Sequence, residues 1–128
     1  MLFILKDTEG SSFNILVVDD EPSYRKAMKR LLSRDGHSVT LAEDGIDGLR
    51  ILENKEFDMV LTDINMPNMN GWEFLAKIDT LYPDLPAAVI TGLSSQEKNE
   101  PADTSMAKRI LKKPISIHDI RKLIDEIL

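Results

Sequence analysis

The sequence contains no cysteine and only two histidines among 128 residues. The first absence excludes disulfides, thiolate metal sites and cysteine nucleophiles, and it fits a reducing, cytoplasmic setting. The second puts an all-histidine zinc centre out of reach. Positive charge is also short, with a formal net charge of -6. A domain with this balance repels a phosphate backbone, so direct nucleic-acid binding is not expected. Long apolar runs are missing too. The apolar start, Met1 to Leu5, meets Lys6 and Asp7 at once, which is too short for a membrane span or a signal peptide. Repeats and low-complexity tracts are absent. What remains, 42% hydrophobic and 30% charged residues, is the composition of one globular domain with a single core.

The pattern divides the chain into a flexible leader, residues 1–12, and a folded domain, residues 13–128. Gly10-Ser11-Ser12 is the break between them. Short apolar runs predict strands at Phe13 to Val18, His37 to Ala42, Asp58 to Thr62, Ala87 to Ile90 and Arg109 to Lys112. Apolar residues at helical spacing alternate with them. Tyr24, Ala27, Met28, Leu31 and Leu32 mark a helix from Pro22 to Arg34, with Arg25 among the basic residues on its solvated face. Ile46, Leu49, Ile51 and Leu52 mark a second, and Trp72, Leu75, Ile78 and Leu81 a third, opened by Gly71. Ile117, Ile120, Leu123, Ile124 and Ile127 mark the last, with Ser116 and Asp119 placed for a capping box. Between the fourth and fifth strands, Leu93 to Ser105 carries almost no apolar stripe and is interrupted by Pro101. A helix there gains little from packing and is expected to be weak.

Strands alternating with helices five times predict an α/β domain, a doubly wound five-stranded parallel sheet covered on both faces. In such sheets, ligands gather at the carboxyl ends of the strands. Asp19 and Asp20 follow the first strand, Asp63 the third, Thr91 the fourth and Lys113 the fifth. Three crowded carboxylates do not all stay ionised without a cation. Oxygen ligands without His or Cys suit a hard ion such as Mg²⁺, or Mn²⁺ in its place. A carboxylate beside such an ion can attack phosphorus, with Lys113 and Thr91 neutralising the phosphoryl oxygens.

The sequence resembles a response-regulator receiver domain of two-component signalling, in the CheY-like superfamily. The resemblance covers Phe13 to Leu128 and rests on VVDDEP at Val17 to Pro22, D-x-x-M-P-x-x-x-G from Asp63 to Gly71, ITG at Ile90 to Gly92, and KP at Lys113-Pro114. It implies a flavodoxin-like (βα)5 fold with strand order 2-1-3-4-5. It implies Asp63 as the phosphorylation site, with Asp20, Asp63 and the backbone carbonyl of Asn65 on Mg²⁺ and Asp19 acting mainly through water. Lys113 would pair with the phosphoryl group and Thr91 would be the switch hydroxyl. The implied donor is a phosphohistidine on a sensor histidine kinase or phosphotransfer domain, and the implied role is a signalling module that turns over no external substrate. The output domain or protein goes unnamed, and neither nucleic acid nor membrane is an expected partner. Two positions depart from the family pattern: Met106 replaces the usual glycine and Ile110 the switch aromatic. The usual coupled movement of threonine and ring is therefore not expected in that form.

Two other readings fit the fold class. A small Mg²⁺-dependent aspartyl-phosphate phosphatase of the haloacid-dehalogenase type wants a second acid two residues after the nucleophile, where this chain has Asn65. A flavodoxin-like cofactor binder wants a Ser/Thr/Gly-rich phosphate loop after the first strand, where Asp19-Asp20-Glu21 would repel a phosphate.

Overall fold

The computed structural model describes residues 12–92 and 109–128. Its middle layer is a five-stranded sheet in the order β2-β1-β3-β4-β5, every neighbouring pair parallel. The strands are β1 (Asn14–Val18), β2 (Ser38–Ala42), β3 (Met59–Asp63), β4 (Ala87–Thr91) and β5 (Arg109–Lys112). The helices among the described residues are α1 (Pro22–Arg34), α2 (Gly45–Asn54), α3 (Gly71–Leu81) and α4 (Ile117–Ile127). The expected strand order is therefore present, and among the described residues helices separate β1, β2, β3 and β4 and follow β5. The leader up to residue 11 and the expected weak helix at 93–105 lie outside the described residues.

Successive strand side chains point to opposite faces, and both faces of this sheet are buried. Leu16, Val18, Val60 and Val89 join Phe74, Leu75 and Ile78 of α3 and Leu52 of α2 in one core. Ile15, Val17, Leu61 and Ile90 join Met28 and Leu32 of α1 and Ile120, Leu123 and Ile124 of α4 in the other. This two-sided burial is why the strands read as nearly continuous apolar runs.

Helix ends are fixed by local hydrogen bonds. Pro22 opens α1, and the N-cap is Glu21, whose side chain accepts from the Ser23 amide. Ser116 and Asp119 close the expected capping box on α4. A second box, Asn70 with Glu73, starts α3. It holds the helix immediately after the loop that follows Asp63.

Two positions in the expected stripes, Ile46 and Leu81, are exposed, while Gly48 of α2 packs against Phe74 of α3. A Cβ on Gly48 would stand 2.9 Å from the Phe74 ring. Glycine at that point lets a fully buried aromatic ring fill the space between two helices and the sheet.

Candidate functional site

The carboxyl rim of the sheet gathers the charged residues that the apolar strands exclude. Asp19 directly follows β1 and is buried, Asp63 ends β3 and is buried, and Thr91 ends β4 and is buried. Asp20 is exposed beside Asp19. Carboxylate oxygens of Asp19, Asp20 and Asp63 lie within 4.8 Å of one another. Lys113 directly follows β5 and is joined to Pro114 by a cis peptide, and its backbone N–H donates to the Thr91 carbonyl at 2.8 Å. That bond extends the β4–β5 pairing by one residue past Lys112. It brings the lysine stem onto the rim.

The lysine reaches back across the sheet. Its Nζ donates to Asp19 Oδ2 at 3.1 Å and stands 3.7 Å from Asp63 Oδ1. Asp19 Oδ1 accepts the Glu21 amide at 2.9 Å. Both oxygens of Asp19 are thus engaged by the protein. A buried charge needs such partners, since an unpaired one costs several kcal/mol.

Asp63 is less well neutralised. Burial, and then the charge of Asp19, push its carboxyl up from 3.8 to about 6, although Lys113 and the Ile64 amide pull the other way. Burial disfavours the ionised form, and a neighbouring like charge does the same. An added cation at this point would relieve both effects.

The loop after β3 closes the site from one side. Asn65 is exposed, and with Asp20, Met66 to Asn70 and Glu73 it lines an open recess. Asn68 takes a positive φ of 69° and donates to Asp44 Oδ2 at 3.1 Å, which ties the loop to the N-cap of α2. Gly71 makes the return possible. Its amide donates to the Ile64 carbonyl at 2.7 Å, and a Cβ there would stand 2.3 Å from the Asp63 carbonyl oxygen.

Asp19, Asp20, Asp63 and Lys113 are therefore brought together, with Thr91 ending the strand next to Asp63 and Asn65 opening the loop. Two further residues belong to the site. Tyr24, in the first turn of α1, places its ring centroid 4.1 Å from Lys113 Nζ. Arg25, from the basic face, donates Nη1 to the Asp19 carbonyl at 2.6 Å. The available signal was their position, four and five residues past the acid pair.

A doubly wound parallel sheet with three carboxylates and a lysine on its carboxyl rim defines an α/β domain with an acidic, cation-ready pocket. The family model described as the response regulator receiver domain matches residues 15–125. This chain belongs to that family, and it is a receiver domain of the kind found in two-component response regulators. It is 36% identical over 119 residues to the transcriptional regulatory protein ZraR of Klebsiella oxytoca, covering 93% of this chain and 27% of that protein. It is 34% identical over 106 residues to the response regulator MprA of a Mycobacterium species (strain KMS), covering 83% of this chain and 46% of that protein. Among solved structures, the response regulator TrrA of Thermotoga maritima, in complex with Mg²⁺ and BeF, superposes with a TM-score of 0.82 at 27% identity. That match covers 90% of this chain and 98% of the other. The chain spans about a quarter to a half of the length of these curated relatives. No helix among the described residues is long and apolar enough to cross a membrane.

Proposed function

We propose that Asp63 is the phosphoryl acceptor of this receiver, and that residues 13–128 form the receiver unit. The observation that carries this is the placement of Lys113 Nζ, 3.1 Å from Asp19 and 3.7 Å from Asp63, over a cluster of three carboxylates. In the transfer, an Asp63 oxygen forms a bond to phosphorus as the P–N bond of a phosphohistidine breaks. The imidazole nitrogen keeps the electron pair. Lys113 and the Thr91 hydroxyl then face the phosphoryl oxygens, where positive charge and hydrogen-bond donors are most effective.

The donor set fits a hard divalent ion: oxygen atoms only, three of them carboxylates, one exposed to incoming solvent. Asp20, Asp63 and the backbone carbonyl of Asn65 would hold Mg²⁺ or Mn²⁺. Asp19 is occupied by Lys113 and the Glu21 amide and would act through water. The ion, when bound, supplies positive charge to the phosphoryl oxygens. The Mg²⁺ and BeF complex of the Thermotoga relative supports this reading. The partner on the donor side is a sensor histidine kinase or a histidine phosphotransfer domain, and the setting is cytoplasmic. The module acts on its own phosphoryl group and on no external substrate, since Asn65 offers no second acid for a leaving group.

Incubating the protein with phosphoramidate and Mg²⁺ tests this. The expected result is a single added phosphoryl group by mass, absent in Asp63→Asn. Undiminished labelling of Asp63→Asn overturns the assignment.

A further inference from the structure

The lysine that serves the pocket has a flexible four-carbon stem, so its ammonium is placed by what surrounds it. Two of those neighbours are the carboxylates of Asp19 and Asp63. The third is the face of Tyr24, whose ring centroid stands 4.1 Å from Nζ. A cation at that distance is drawn to the negative face of an aromatic ring.

The ring is held where it is from several directions. Pro22 and the Glu21 cap fix the first turn of α1. Arg25, the next residue, ties that turn to the Asp19 carbonyl at 2.6 Å. The ring itself packs against the core between the sheet, α1 and α4. Its hydroxyl is buried and has no hydrogen-bond partner among the described residues. A buried hydroxyl without a partner is a cost, not a gain. The useful part of Tyr24 is therefore its ring. Burial and the charges of Asp19 and Asp63 push the phenol well above its usual range. It stays neutral, and it lies in the field of the same two carboxylates that hold the lysine.

We propose that Tyr24 is a positioning residue for Lys113, its ring face holding the ammonium over the pocket so that the rate of phosphoryl transfer depends on an aromatic ring at position 24. This rests on the reading of Asp63 as acceptor. In the assayed transfer from phosphoramidate, the P–N bond breaks as the Asp63 O–P bond forms, and ammonia leaves with a proton taken from solvent. Tyr24 touches none of these atoms. It acts by keeping the lysine on the phosphoryl side of Asp63.

The experiment compares the wild-type chain with Tyr24→Phe, Tyr24→Leu and Tyr24→Met by two readouts. The first is the proton NMR shift of the Lys113 Cε methylene, which a ring face moves upfield. It is expected upfield in the wild type and in Tyr24→Phe, and at an ordinary lysine position in the two aliphatic variants. The second is labelling by phosphoramidate and Mg²⁺ across donor concentration. The maximal rate should fall roughly three- to thirty-fold in Tyr24→Leu and Tyr24→Met, with the donor KM unchanged, while Tyr24→Phe retains the wild-type rate. An ordinary Lys113 shift in the wild type overturns the proposal without any variant having to fold. So does a folded aliphatic variant that labels at full rate, or a Tyr24→Phe that loses as much as Tyr24→Leu. The shift is read without phosphorylation, so it tests position 24 alone. Continued labelling of Asp63→Asn instead overturns the reading of Asp63.

Discussion

Lys113 Nζ lies closer to Asp19 than to Asp63, at 3.1 Å against 3.7 Å. The buried carboxylate beside the first strand is thus fully partnered, while the one at the end of the third keeps capacity in reserve. Burial, and then the charge of Asp19, raise Asp63 to about 6, and at neutral pH it is an ionised group short of positive charge. Such a group favours anything that brings charge to it.

Removing the lysine should therefore harm both stability and transfer. Lys113→Met leaves Asp19 and Asp63 without their ammonium partner. Losing a positioned charge that stabilises a transferring phosphoryl group costs on the order of 10²-fold in rate. Stopped labelling with phosphoramidate measures it. A rate within about two-fold of wild type would remove Lys113 from the chemistry.

The two members of the acid pair should differ in Mg²⁺ affinity. Both oxygens of Asp19 are already bonded, whereas Asp20 is exposed on the recess shared with Asn65. Asp20→Ala is expected to weaken Mg²⁺ roughly ten-fold or more, and Asp19→Ala less. A Mg²⁺ titration followed by the fluorescence of Trp72, the one tryptophan, ranks them. Equal losses would show that the ranking is wrong.

Stability should respond to pH through Asp63. Its folded-state pKa of about 6 lies above the ordinary 3.8, so between these values the native state binds more protons than the unfolded chain. The stability contribution is then greatest at the acid end and falls as pH rises through about 6. Asn mimics the neutral acid. Without divalent ions, Asp63→Asn should be more stable than wild type by about 1–2 kcal/mol at pH 7.5, after allowance for solvent screening. The advantage should vanish near pH 4. Denaturant unfolding at the two pH values checks both sign and size, and a wild type more stable than Asp63→Asn at pH 7.5 would contradict it.

Gly71 should resist even alanine. The added Cβ would meet the Asp63 carbonyl oxygen at 2.3 Å and Ile64 Cα at 2.7 Å. These are backbone atoms, so the loop itself must move. Gly71→Ala is expected to cost about 2 kcal/mol or more in thermal or denaturant unfolding, and to slow transfer by shifting Asp63. A neutral effect on both would mean that the loop relaxes freely.

Much of this site could be read from the chain because charge and apolar runs segregate so sharply. Val17 and Val18 before Asp19, or Val60 and Leu61 before Asp63, give a buried strand and a rim acid in one glance. The structure adds the register, with Asp63 opposite Ile90 and Thr91 just beyond it. Tyr24 was not legible in the same way. Its spacing from Ala27, Met28 and Leu31 satisfies a core stripe completely, and only the three-dimensional overhang of α1 puts its ring on Lys113. Arg25 likewise reads as one of several solvated cations until its bond to the Asp19 carbonyl is seen. Ile46 and Leu81 fit a helical period yet are exposed, whereas Gly48 packs against the buried Phe74 ring, because helix packing is decided by volume as well as by period.

The most direct test of the central claim locates the phosphoryl group chemically. An aspartyl phosphate is reduced by borohydride to homoserine, whereas an unmodified aspartate is not. The protein is labelled with phosphoramidate and Mg²⁺, reduced, digested and sequenced by mass spectrometry. Homoserine at position 63, and at neither 19 nor 20, is the predicted result. Homoserine at Asp19 or Asp20, or at none of the three, would contradict the assignment of Asp63 as the acceptor.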